Sequence, residues 1–160
     1  METVAKMTLD EAHLEFAKQA NGEVWRLLEK DGRSPDDDRA MVIAAFASLY
    51  HWSIVGKPVH RQRGEWLIAH VFTVLGDGQP ALTYAEHCMA TAEAHKDQMS
   101  DFDLAYAYEG LARAHALAGH LEEARRHLAH ARRAGDEILD PDSRIIFEND
   151  LQAGDWYGVQ

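Results

Sequence analysis

Cysteine, proline and positive charge are all scarce in this chain, and the first and last of these scarcities each remove a class of function. A single cysteine, Cys88, rules out an internal disulfide, and there is no CxxC pair to serve as a zinc or redox motif. At helical spacing from Ala81, Ala85 and Ala92, it reads as a small buried core residue. No run of about 18 apolar residues is present, so no membrane-spanning helix is expected. The opening METVAKMTLDEAHLEF is acidic where a secretory leader needs a basic start and an apolar run. A soluble, cytoplasmic protein is the expectation. Lys and Arg number 16 against 27 Asp and Glu, a formal charge of -11. Such a surface repels phosphates, which argues against nucleic acid and anionic membranes as partners. Catalytic signatures are missing too. The chain has no HExxH, no Gly-x-Ser-x-Gly and no glycine-rich phosphate loop, since GDGQP at 76–80 is too short and wrongly placed.

What is present is helix. Hydrophobic residues make up 46% of 160 positions, enough for one domain with a real core. The four prolines, Pro35, Pro58, Pro80 and Pro141, stand at joints between periodic apolar segments. No stretch alternates as a strand does. Seven helices are expected, at about 8–30, 36–55, 59–75, 79–95, 101–118, 121–138 and 141–152. Ser34 and Pro35 ahead of three aspartates form a strong N-terminal signal, with carboxylates at the positive end of the helix dipole. In LGDGQPA (75–81) and LAGHLEEA (117–124) a glycine follows a helix and apolar periodicity soon resumes, the pattern of an antiparallel helical hairpin.

A shift of 43 residues places Ala81 on Ala124, Ile68-Ala69 on Leu111-Ala112, Phe72 on His115, Gly76 on Gly119, Ala85 on Leu128 and Cys88 on Ala131. In YEGLARAHALAGHLEEARRHLAHA the pair Leu111-Ala112, Gly119, Ala124, Leu128 and Ala131 resembles the tetratricopeptide-repeat pattern of large and small residues. The resemblance is clear over 101–138, fair over 62–95 and weak over 8–55. It departs from that family at His115, where an aromatic is usual, and in its period, which KDQMSDFD lengthens. The implied fold is all-α. It consists of hairpins at 8–55, 59–95 and 101–138 with a capping helix at 141–152, stacked as a right-handed solenoid or gathered into a compact α-α bundle. Ile145, Ile146 and Leu151 would cover the last hairpin.

In such repeats the first helix of each hairpin lines the concave groove. The resemblance therefore implies that Arg63, Trp66 and His70 face it from one hairpin, and Tyr106, Glu109 and Arg113 from the next. The i, i+3, i+7 spacing puts each trio on one helix face independently of any family. Ordinary solvated or interhelical residues, with Glu109 and Arg113 as a local ion pair, would share that spacing. His51 and Trp52 end the second helix and would enlarge the groove if that helix packs against the third. A protonated His51 is also explained by the helix dipole alone. His127 and His130 stand among arginines and read as a solvated face, since nearby cations oppose a bound cation. Asp101 and Asp103 read as capping residues.

The expected function is a protein-protein interaction or adaptor module. A peptide or partner helix would lie against Trp66 and Tyr106, with Arg63 and Arg113 engaging its carboxylates. Neither catalysis nor a cofactor is expected. The alternative is a small-molecule or metal-binding enzyme or sensor, its pocket between the helices and a metal on His51, His70 and Glu109. Self-association through an exposed apolar helix such as 8–30 is compatible with either, with Trp25, Leu27 and Leu28 as core or interface.

Overall fold

A computed structural model describes residues 6–160. The opening stretch METVAKMTLDEAHLEF lies partly outside them. Among the described residues there are seven α-helices and no strand: α1 (Leu9–Leu28), α2 (Pro35–Val55), α3 (Pro58–Leu75), α4 (Gly78–Ala94), α5 (Asp101–Leu117), α6 (Leu121–Asp136) and α7 (Pro141–Gln152). A short 3-10 turn, Lys96–Gln98, occupies the long connection between α4 and α5. No helix is long and apolar enough to cross a membrane among the described residues.

The helix ends form where local chemistry satisfies their orphan amide groups. Thr8 with Glu11, Ser34 with Asp37 and Ser100 with Asp103 are reciprocal capping boxes, and Pro35, Pro58 and Pro141 open their helices. The closest packing is between α1 and α2, α3 and α4, and α5 and α6, so consecutive helices pair as hairpins. The fold is thus the expected all-α set of helical hairpins and is compatible with a helical repeat.

The 43-residue period is visible in the backbone itself. Gly76 and Gly119 both sit in the left-handed region, at φ 75° and 81°. After each, the same two hydrogen bonds close the helix: Gly76 N to Thr73 O and Asp77 N to Phe72 O, then Gly119 N to Ala116 O and His120 N to His115 O. This is the Schellman closure, and a side chain at either glycine would be strained. Residues at equivalent places, Ala81, Ala85 and Cys88 on α4 and Ala124, Leu128 and Ala131 on α6, are all buried against the preceding helix, and all but Leu128 are small.

Of the residues expected to cover the last hairpin, Leu151 does so, and Phe147 takes the place of Ile145 and Ile146. Phe147 and Leu151 are buried, whereas Ile145 and Ile146 are each 53% exposed. The phenyl ring of Phe147 lies against the bare Cα of Gly135 on α6, which fixes the approach of the two helices. On α1, Leu27 is core and Leu28 half-buried, while Trp25 stays 39% exposed. Ile43, Tyr50 and Ile54 form an exposed apolar row along α2.

His127 departs from the solvated role that its arginine neighbours suggest. Its ring stacks on His115 at 5.3 Å, and its Nδ1 is buried with no hydrogen-bond partner. Burial first, then the neighbouring His115, lowers its pKa to about 4 from 6.5. In that interval the unfolded chain binds a proton that the folded chain refuses, so stability is expected to fall as pH drops from 6.5 toward 4. The loss is on the order of 1 kcal/mol, because the ring is only half-buried and partly screened. Urea unfolding at pH 7 and pH 5 should show this slope in the wild type and a flatter one in His127→Leu.

Candidate binding site

Two adjoining cavities of about 290 and 340 Å³ open between the first helices of the hairpins and the C-terminal elements. Trp25 of α1, Trp66 of α3 and Asp150 of α7 belong to both. The first cavity is walled by Trp25, Trp66, Leu67, Phe102, Tyr106 and Ile146, with Gln62, Arg63 and Asp103 beside them. The second lies between His70, Glu109 and Arg113 on the helix side and the segment Ala153–Tyr157 on the other.

The walls are organised by aromatic packing. Trp66 meets Tyr106 edge-on at 5.2 Å, and Tyr106 in turn meets Phe147 at 5.0 Å. The Trp25 ring lies nearly parallel to Trp66 at 6.3 Å, and His70 stacks on Trp66 at 4.9 Å. Burial holds the His70 pKa below its usual value, partly opposed by the nearby Glu109.

Charged groups are tied down by one another. Arg113 Nε donates to Glu109 Oε1 at 2.5 Å, and Trp66 Nε1 donates to Glu109 Oε2 at 2.8 Å. Arg113 Nη2 donates to the carbonyls of Asp150 and Ala153, and the guanidinium lies over the Trp156 ring at 4.2 Å. Arg113 therefore clamps the C-terminal segment onto α5. Its Nε and Nη2 are committed within the chain. Arg63 is 56% exposed but donates through Nε to the buried Asp103, so it too faces an internal carboxylate. Tyr106 Oη donates to Asp150 Oδ2 at 2.5 Å; burial, then that carboxylate, pushes the phenol well above its usual pKa.

Of the residues expected at the groove, Arg63, Trp66, His70, Tyr106, Glu109 and Arg113 converge on these cavities. His51 and Trp52 do not line either one. His51 packs on His13 and Phe16 of α1, with its Nδ1 at 2.8 Å from that of His13, while Trp52 stacks on His60 at 4.4 Å. A metal set of His51, His70 and Glu109 is therefore not assembled, and among the described residues no three His, Cys, Asp or Glu are grouped to hold an ion.

Gln62, Trp25, Phe102, Ile146 and Asp150 are wall residues that the sequence argument missed. One signal was available. Trp66 and Glu109 are 43 residues apart, one repeat, and they touch. Positions one repeat apart on successive first helices are neighbours, so Arg63 and Gln62 should look for partners near Tyr106, where Asp103 is found. Asp103 completes its capping box as expected, but its burial comes from this second role. Thr91 and Arg61 hold the buried Glu65 in a separate polar contact between α3 and α4. Cys88 is buried, its thiol pushed well up by burial, which fits packing rather than reactivity. No protein-family model matches the chain, and no curated protein and no solved structure shows significant similarity to it.

Proposed function

We propose that this chain is a tetratricopeptide-like interaction module that captures a peptide or partner helix of another protein in the trough formed by α1, α3, α5 and α7. The observation that carries the reading is the aromatic wall of Trp25, Trp66, Phe102 and Tyr106 around a cavity of about 290 Å³. Aromatic side chains on rigid helices supply contact area at little entropic cost, and Trp and Tyr dominate binding hot spots. Trp25 and Ile146 stand at this cavity while remaining 39% and 53% exposed, so an apolar side chain of a partner would cover surface that water now touches. A second copy docking through Ile43, Tyr50 and Ile54 is compatible with this use, because none of the three lines either cavity.

Panning a random peptide library against the purified protein tests the reading. Selected peptides are expected to lose about tenfold or more in affinity for Trp25→Ala, since a hot-spot truncation costs more than 1 kcal/mol. The variant should melt close to the wild type, because Trp25 is not core. Peptides that bind both proteins equally would place the interaction elsewhere. The closing of one end by α7 and the segment after it favours a second reading, a pocket for a compact small molecule. A native mass spectrum of the freshly purified protein separates the two: a retained ligand supports the pocket, a bare chain the trough.

A further inference from the structure

Resting on the peptide-trough reading, we propose that the side chain taken into the cavity is basic: a lysine or arginine of the partner, its stem against the aromatic wall and its charge toward Asp150. Three observations converge on a cation. The first is the balance of charge: Asp103, Glu109, Asp150 and Asp155 face the two cavities against Arg63 and Arg113, and the whole chain carries -11. An acidic side chain would enter a region with surplus negative charge, whereas a basic one offsets it.

The second is what remains unengaged. Arg63 already donates through Nε to Asp103, and Arg113 through Nε and Nη2 to Glu109 and two carbonyls. On the acceptor side, Asp150 receives Tyr106 on Oδ2 alone. Gln62, 1% exposed at the wall of the first cavity, has a buried Oε1 with no partner. Its amide cannot be reversed to cure this. Nε2 donates to the carbonyl of Asp103 at 3.0 Å, and reversal would set two acceptors against each other. Asp150 Oδ1 is thus an acceptor left open at the wall of the first cavity.

The third is the nature of the wall. Indole and phenol faces attract cations through their quadrupoles, and the attraction grows as water is excluded. An ammonium or guanidinium on a long apolar stem satisfies wall and carboxylate together, as a purely apolar or an anionic side chain does not.

The test uses the full chain, labelled with nitrogen-15, and three capped pentapeptides that differ only at a central lysine, norleucine or glutamate. The lysine peptide is expected to shift the indole N–H resonances of Trp25 and Trp66 and to bind about tenfold more tightly than norleucine, with glutamate weakest. Raising salt should weaken lysine and leave norleucine unchanged. Asp150→Asn, whose amide oxygen can still accept Tyr106, and Trp25→Leu, which keeps an apolar wall, should each abolish most of the lysine preference. If norleucine or glutamate shifts the same resonances as tightly as lysine, the basic assignment is wrong and the trough survives. If no peptide shifts them, both fail. If butyltrimethylammonium shifts them and the lysine peptide does not, the cation is a free small molecule and the assignment to a partner's side chain is overturned.

Discussion

Replacing Arg113 with methionine is expected to destabilise the protein by about 3–5 kcal/mol, because it strands Glu109 as a buried carboxylate without its counter-charge. Both partners are almost wholly enclosed, with side chains 8% and 3% exposed. The same change removes two hydrogen bonds to the carbonyls of Asp150 and Ala153 and the cation lying over Trp156. At roughly 2–4 °C per kcal/mol for a chain of this size, the midpoint of thermal unfolding should fall by about 10 °C. The segment after α7 should loosen first, so chymotrypsin should cut at Trp156 or Tyr157 faster in the variant. The double variant Glu109→Gln, Arg113→Met separates the two contributions. It should recover part of the melting temperature, since the stranded charge is gone, and none of the protease resistance, since the clamp is still missing. A single variant that melts and digests like the wild type would mean that Trp156, Val159 and Leu151 hold the segment unaided.

The clamp also explains why the fold was easier to read than the site. Helix ends are local events: Ser34 with Pro35, and the glycines at 76 and 119, announce themselves within a few residues. The repeat added long-range information, because a shift of 43 residues brings together side chains that touch, as Trp66 and Glu109 do. Which charged residues stay available to a ligand depends instead on partners far along the chain. Arg113 finds the carbonyl of Ala153, 40 residues away, and no pattern in the sequence marks that carbonyl as an acceptor. Trp25 reads equally well as core or surface until its place beside Trp66 and His70 of α3 is known. His51 failed for the same reason in reverse: its ring meets His13 and Phe16 of α1 rather than Arg63.

Alanine at Gly135 and alanine at Gly22 should have effects of opposite sign, although both glycines are helical. A Cβ at Gly22 meets nothing within 4 Å, so Gly22→Ala recovers ordinary helix propensity and should stabilise α1 by about 0.5–1 kcal/mol. At Gly135 the added carbon would lie 2.6 Å from Phe147 Cε1 and 2.8 Å from Cδ1. That ring is 1% exposed and cannot swing aside, so α7 itself must move. Overpacking of this kind costs about 1–3 kcal/mol, enough to outweigh the propensity gain. The consequence reaches the trough, because α7 carries Ile146 and Asp150 into the first cavity. Gly135→Ala should therefore weaken peptide binding as well as lower the melting temperature, while Gly22→Ala raises the latter alone. Phe147→Leu in the Gly135→Ala background should restore some stability by vacating the contact. If Gly135→Ala instead stabilises the protein, α7 is free to slide on α6, and the cavity wall it provides is adjustable rather than fixed.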